Sequence, residues 1–333
     1  MTPSTPLRTG RGLVWKAALG LVISLALFRL LFEFVDFEDL GALFVNLRWG
    51  PWLLGWILWM GVYAARTVRF RLLAPRTPRG TMFCITAVHT LLIRLLPFRT
   101  GELSYGILVK RAGTAGLGES LLGLLLLRIM DATTVVIVFS VTLVAWGGSY
   151  VGDHHVGLVV AAGAGVLGVL AILALPRLLR AAVTMARCLT AALRIDKVRP
   201  VARALKGGAD AVDAFARIGV PTLARLGLVS LVQWLLTFGA FYAILSAFST
   251  PVGPAETVMG ATASVVSGFL PIGGIGTFGT LEAGWALGFV LVGLDEATAV
   301  ATGFGVSLST LGYSILPGLL GWCALGRSRE KRA

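Results

Sequence analysis

Charge is scarce in this sequence. Only 14% of its 333 residues are Asp, Glu, Lys or Arg, 56% are hydrophobic, and the mean hydropathy is +0.86. That balance excludes an ordinary water-soluble fold. Cysteine is scarce too: Cys84, Cys188 and Cys323 are dispersed without paired spacing, so neither a zinc site nor a disulfide framework is read from them. Of the three histidines, His154 and His155 adjoin Asp153 in the hydrophilic stretch "GGSYVGDHH", read as a solvated loop, and His89 lies in an apolar stretch where packing is its simplest role. There is no D-x-D or His-x-x-x-Asp arrangement and no nucleophile with a base. No catalytic residue, metal ligand or cofactor is therefore assigned, and the chain is not read as an enzyme. No series of short alternating segments suggests a membrane barrel either.

Long apolar runs remain, several of them near the roughly 20 residues that cross a hydrocarbon core as helix. The fold class read from them is an all-α polytopic membrane protein in a single membrane domain. The net charge of +13 comes from Lys and Arg placed between the apolar runs and at both ends. That placement is a topology signal, not a nucleic-acid site. A basic lead (Arg8, Arg11, Lys16) precedes an apolar run with no small-residue cleavage site after it, so 14–33 is expected to be an uncleaved first span. Residues 34–50 form a short acidic, amphipathic connection. The first repeat, 51–146, contains a span ending in Arg66, Arg69 and Arg71, a hairpin over 81–111, and a span over 118–146. A span at 156–175 follows, then a basic, partly helical cytoplasmic segment at 177–219. The second repeat, 221–325, contains a hairpin over 256–294. About six spans are expected, with both termini on the basic, cytoplasmic side of the membrane.

The two hairpins share a pattern. "LLPFRTGE" and "FLPIGGIGTFGTLE" each place Leu-Pro before a glycine-containing turn and Thr-x-Glu: Pro97, Thr100, Gly101 and Glu102 in the first, Pro271, Thr280 and Glu282 in the second. The second turn also holds Gly273, Gly274, Gly276 and Gly279, which permit close backbone approach. Each apolar arm is too short to span. With basic flanks on the first hairpin and none on the second, the pair predicts two re-entrant helical hairpins in inverted-topology repeats. Such broken helices meet near the midplane, where irregular backbone lines a cavity. Thr100 and Thr280 are candidate caps, and the capping chemistry alone would suffice to select them.

Ionisable groups at membrane depth are costly and usually functional. On that ground Arg94, Arg99, Glu102 and Glu282 are candidate substrate-binding residues. Arg66 and Arg69 are expected at the cytoplasmic interface, where they either snorkel or capture phosphate. Arg128 and Asp131, three apart on one helical face, pair either with each other or with the hairpin.

The stretches "RTVRFRLL", "LLPFRTGE", "LRIMDA" and "LPIGGIGTFGTLE" resemble the flippase-like membrane region of lysylphosphatidylglycerol synthases, over about 15–325. The resemblance implies a bacterial or archaeal cytoplasmic membrane. It also implies movement of a lipid with a charged or glycosylated head between leaflets, through a cavity formed by the two hairpins. Two-domain members carry a soluble aminoacyl-transferase after the membrane region; here a short basic tail is expected to stand alone, so lipid synthesis by this chain is not expected. The second motif is longer and richer in glycine than the commoner form, which leaves the lipid open: a phospholipid or a polyprenyl-phosphate-linked sugar. Partners expected on this basis are membrane lipids, chiefly anionic, and a lipid-synthesising enzyme or glycosyltransferase. A headgroup-modifying enzyme or a non-transporting scaffold are the alternative classes. With no nucleotide site in view, transport would be facilitated or driven by an ion gradient.

Overall fold

The computed structural model describes residues 37–96, 100–146, 154–194, 198–268 and 279–330. These residues form eleven α-helices and no strand. In chain order they are α1 Phe37–Val45, α2 Trp49–Leu73, α3 Arg79–Leu95, α4 Glu102–Arg111, α5 Leu117–Trp146, α6 His154–Ala192, α7 Arg199–Ala216, α8 Val220–Ala247, α9 Pro254–Ser267, α10 Thr280–Leu291 and α11 Glu296–Glu330. The expected first span at 14–33, together with Pro97, Arg99, Pro271, Gly273, Gly274 and Gly276, lies outside the described residues.

Among the described residues, α5, α8 and most of α11 are long and apolar enough to cross a membrane. Their outer faces carry large apolar side chains in the open, such as Val141, Leu228, Leu235, Leu316 and Leu320. Their inner faces carry hydroxyls and amides: Ser140, Ser230, Gln233, Thr310 and Ser314 are buried. Most of these hydroxyls donate back to the carbonyl four residues earlier, as in Ser230 to Leu226 (2.7 Å) and Thr310 to Val306 (2.8 Å). Polar groups inside and oil outside is the arrangement that lipid imposes, because hydrocarbon offers those groups no partner. The chain is a multi-pass helical membrane protein.

The packing of the helices is reciprocal. α2 lies along α8. The pair α3 and α4 packs through α3 on α11, and the pair α9 and α10 packs through α9 on α5. Small residues permit these contacts: a Cβ at Gly288 of α10 would overlap the Gly260 carbonyl of α9, and one at Gly321 of α11 would lie 2.9 Å from the Cys84 carbonyl of α3. One apolar cluster (Trp59, Tyr63, Phe238, Trp285, Phe289, Tyr313) surrounds the second helix pair. Another (Phe70, Met82, Tyr105, Leu126, Met130, Leu226) surrounds the first.

Helix α6 departs from the expected boundaries. It joins the expected span at 156–175 to the first part of the expected partly helical basic segment, running unbroken through Pro176 to Ala192. Its 39 residues rise about 58 Å, longer than a hydrocarbon core of about 30 Å, and its C-terminal half carries Arg177, Arg180 and Arg187. Strongly amphipathic α7 folds back against α5 and α6, burying Ala211 and Val212.

Candidate functional site

A cavity of about 230 Å³ opens where the two helix pairs meet α2, α5 and α8. Helical periodicity supplies its walls. Trp59, Arg66, Arg69 and Phe70 stand along one face of α2; His89, Thr90, Ile93 and Arg94 along one face of α3; Leu124, Leu127, Arg128 and Asp131 along α5 at intervals of three or four. Gln233, Trp234, Thr237 and Phe241 do the same on α8, Glu102 comes from the start of α4, and Val265, Gly268 and Leu281 close the side of the second helix pair.

Arg69 is 2% exposed and is held on three sides. Its Nη1 donates to Asp131 Oδ1 (2.8 Å) and Gln233 Oε1 (2.8 Å), and its Nη2 to the Leu127 carbonyl (3.2 Å). Trp234 Nε1 donates to the same Asp131 oxygen (2.9 Å). Of the two roles expected for it, snorkelling does not fit: Arg69 is buried inside the bundle and paired there, with no route for its guanidinium to open water. Arg128 and Asp131 do not pair with each other. Arg128 Nη2 reaches Glu102 Oε1 at 2.6 Å, joining α5 to the start of α4, while Asp131 serves Arg69.

The two remaining cavity arginines meet no carboxylate at salt-bridge distance among the described residues. Arg66 Nη1 donates weakly to Thr90 Oγ1 (3.4 Å), and the Arg94 guanidinium lies 5.2 Å from the centre of the Trp59 ring. His89 is buried against the stacked rings of Phe70 and Tyr105. The Ser104 hydroxyl gives its proton to the Gly101 carbonyl (2.5 Å), so in the His89–Ser104 contact (2.9 Å) the imidazole Nδ1 is the donor.

Local backbone sets these positions. A Cβ at Gly101 would sit 2.6 Å from Ile93 Cα, so glycine is what lets the start of α4 press on the last turn of α3 and bring Glu102 to the cavity. The cap positions are glycines, Gly101 and Gly279, not the expected threonines; Thr100 lies two residues before α4 and Thr280 is the first residue of α10. Gly279 has φ +92, open to glycine at little cost. Glu282 supplies the capping group, its Oε2 accepting the Gly279 N–H at 2.6 Å while Oε1 accepts the Ser307 hydroxyl of α11. Glu282 is thus 1% exposed and ties α10 to α11, whereas Leu281 is the α10 residue that lines the cavity. Ser264 and Ser267 of α9 donate to the Leu281 and Thr280 carbonyls, closing the second pair.

Sequence reasoning passed over Gln233, Trp234 and Ser307. Gln233 is the amide inside "LVSLVQWLLTF", and an amide in an apolar span is itself a signal of an interior partner.

Fold and site together define a multi-pass membrane protein whose helices enclose a charged cavity. Its family follows from comparison with known families: the chain belongs to the lysylphosphatidylglycerol synthase TM region family, whose model matches residues 17–318. No curated protein and no solved structure matches it.

Proposed function

We propose that this protein is a lipid transporter of the cell membrane, moving a lipid with an anionic or glycosylated head between leaflets, and that it is not an enzyme. The observation that carries this reading is the cavity. Among the described residues, four arginines and two carboxylates converge inside an apolar bundle, where charges are costly unless they face a polar path. The reciprocal packing supports inverted repeats with two re-entrant hairpins: α3 on α11 answers α9 on α5, α4 beside α5 answers α10 beside α11, and α2 along α8 is the self-matched pair. In this arrangement each hairpin gates one side of the cavity and both termini are cytoplasmic. The basic end of α6 and the amphipathic α7 rest on anionic headgroups.

The test is leaflet exchange in vesicles containing purified protein, with a panel of labelled lipids. Transport of at least one anionic lipid above protein-free vesicles is expected. A lipid that is chemically altered instead of moved would assign the cavity to headgroup chemistry and sink the transport reading.

A further inference from the structure

We infer that the cavity selects a phosphomonoester headgroup, a compact group carrying close to two negative charges, over phosphodiester and aminoacylated headgroups. This rests on the lipid-transport reading above and names its substrate class.

The charge inventory carries it. Of the four arginines that line the cavity among the described residues, Arg69 and Arg128 are matched at 2.8 and 2.6 Å by Asp131 and Glu102, the two carboxylates among those lining residues. Arg66 and Arg94 are left over. Among the described residues their direct contacts are Thr90 Oγ1 at 3.4 Å and the Trp59 ring at 5.2 Å; Asp131 also attracts Arg66, but from beyond salt-bridge distance and with its carboxylate already bonded to Arg69. Glu282 acts on Arg94 from a greater distance, but its two oxygens already serve the Gly279 amide and the Ser307 hydroxyl. Two unmatched guanidinium groups in one low-dielectric space call for two negative charges.

A phosphomonoester supplies them: at neutral pH it carries about −1.5 to −2 charge and three strong acceptor oxygens. Planar guanidinium forks bind such oxygens in pairs. A phosphodiester brings one charge and leaves an arginine unmatched. An aminoacylated head brings an added cation to a space whose carboxylates are already engaged. Size agrees, since a cavity of 230 Å³ is smaller than the roughly 300–1,000 Å³ of typical ligand pockets and favours a compact head. Trp59, Phe241 and Val265 provide an apolar wall for the chain beside it.

The source of the phosphate, lipid or free anion, is separated by the probes. Protein in nanodiscs is titrated with short-chain phosphatidic acid, phosphatidylglycerol, lysyl-phosphatidylglycerol and inorganic phosphate, and bound ligand is read by native mass spectrometry. Phosphatidic acid is expected to bind roughly tenfold or more tighter than each of the others. Arg66→Gln and Arg94→Gln each remove that preference, and Asp295→Asn, at an exposed position just before α11, leaves it unchanged. Equal binding of the three lipids, a preference for the lysyl lipid, or insensitivity to both arginine changes overturns the proposal. So does inorganic phosphate binding as tightly as phosphatidic acid, which would make this a site for a free anion. If the Gln variants do not fold, Arg66→Lys and Arg94→Lys keep the charge and remove the fork; they are expected to weaken phosphatidic acid several-fold, and unchanged affinity overturns the assignment. Leaflet exchange measured on the same preparation keeps the two claims apart. Selective binding without exchange contradicts transport alone, and exchange without selectivity contradicts the headgroup assignment alone.

Discussion

Asp131→Asn keeps the shape of the residue and removes one charge. Arg69 would then remain 2% exposed with the Gln233 amide oxygen and the Leu127 carbonyl as acceptors and no anion among its partners. Breaking a buried ion pair by removing one member costs about 3–5 kcal/mol. Two neutral acceptors survive, so a loss of about 3 kcal/mol is expected. Were Arg69 instead a surface arginine reaching for water, the same change would cost about 0–1 kcal/mol. Arg69→Met alone should be comparably destabilising, because it leaves the Asp131 carboxylate with Trp234 Nε1 as its remaining donor in this network. The combined Arg69→Met, Asp131→Asn variant removes both charges and should be more stable than either single variant, a coupling that only contacting residues show. Thermal unfolding in detergent, followed by tryptophan fluorescence and by loss of the folded monomer peak, gives the ranking. An Asp131→Asn protein as stable as the parent, or a combined variant as unstable as the sum of the singles, would refute the buried network.

Glu102→Gln should behave differently, since both partners of the Glu102–Arg128 pair are partly open to the cavity: stability is expected to fall by about 1 kcal/mol or less while leaflet exchange drops sharply, and full exchange activity would mean that this glutamate serves only the fold. Gly288→Ala pushes a Cβ into the Gly260 carbonyl, so the α9–α10 pair must separate at a cost of about 1–3 kcal/mol, read as earlier loss of the folded peak on heating; parental stability would mean that the pair packs less closely than described. In a cysteine-free background, Val252→Cys is expected to react with an impermeant thiol reagent added outside cells and Leu205→Cys is not, and external labelling at 205 would overturn the proposed orientation.

Much of the helical layout was legible in the sequence because apolar length and basic flanks are local properties. The boundaries of α5 fall within a residue of the expected 118–146, and α3 with α4 covers 79–111 against the expected 81–111. The expected span at 156–175 and the first part of the expected partly helical basic segment at 177–219 form one continuous helix, α6, a continuity that the change in composition at Pro176 left open. Proline in a long helix need not end it, and the arginines lie on a continuous extension. At the site, ionisable residues in apolar stretches were visible as candidates, but their partners were not. Which carboxylate meets which arginine depends on how α2, α4, α5 and α8 rotate against one another, a long-range property that periodicity within one helix leaves open. The Thr-x-Glu repeat likewise marked the two helix starts correctly, while the glycine cap positions became apparent only from the backbone path around Gly101 and Gly279.

The most direct test of the central claim is the fate of inner-leaflet lipid in vesicles reconstituted at low protein-to-lipid ratio with a fluorescent phosphomonoester lipid. An impermeant reductant added outside quenches only the outer leaflet of protein-free vesicles. With the parent protein the inner-leaflet signal should also disappear, in proportion to the fraction of vesicles that carry protein, and the Arg66→Gln, Arg94→Gln double variant should leave it protected. Inner-leaflet signal that persists with the parent protein, or that disappears equally fast with the double variant, would contradict a transport path through this cavity.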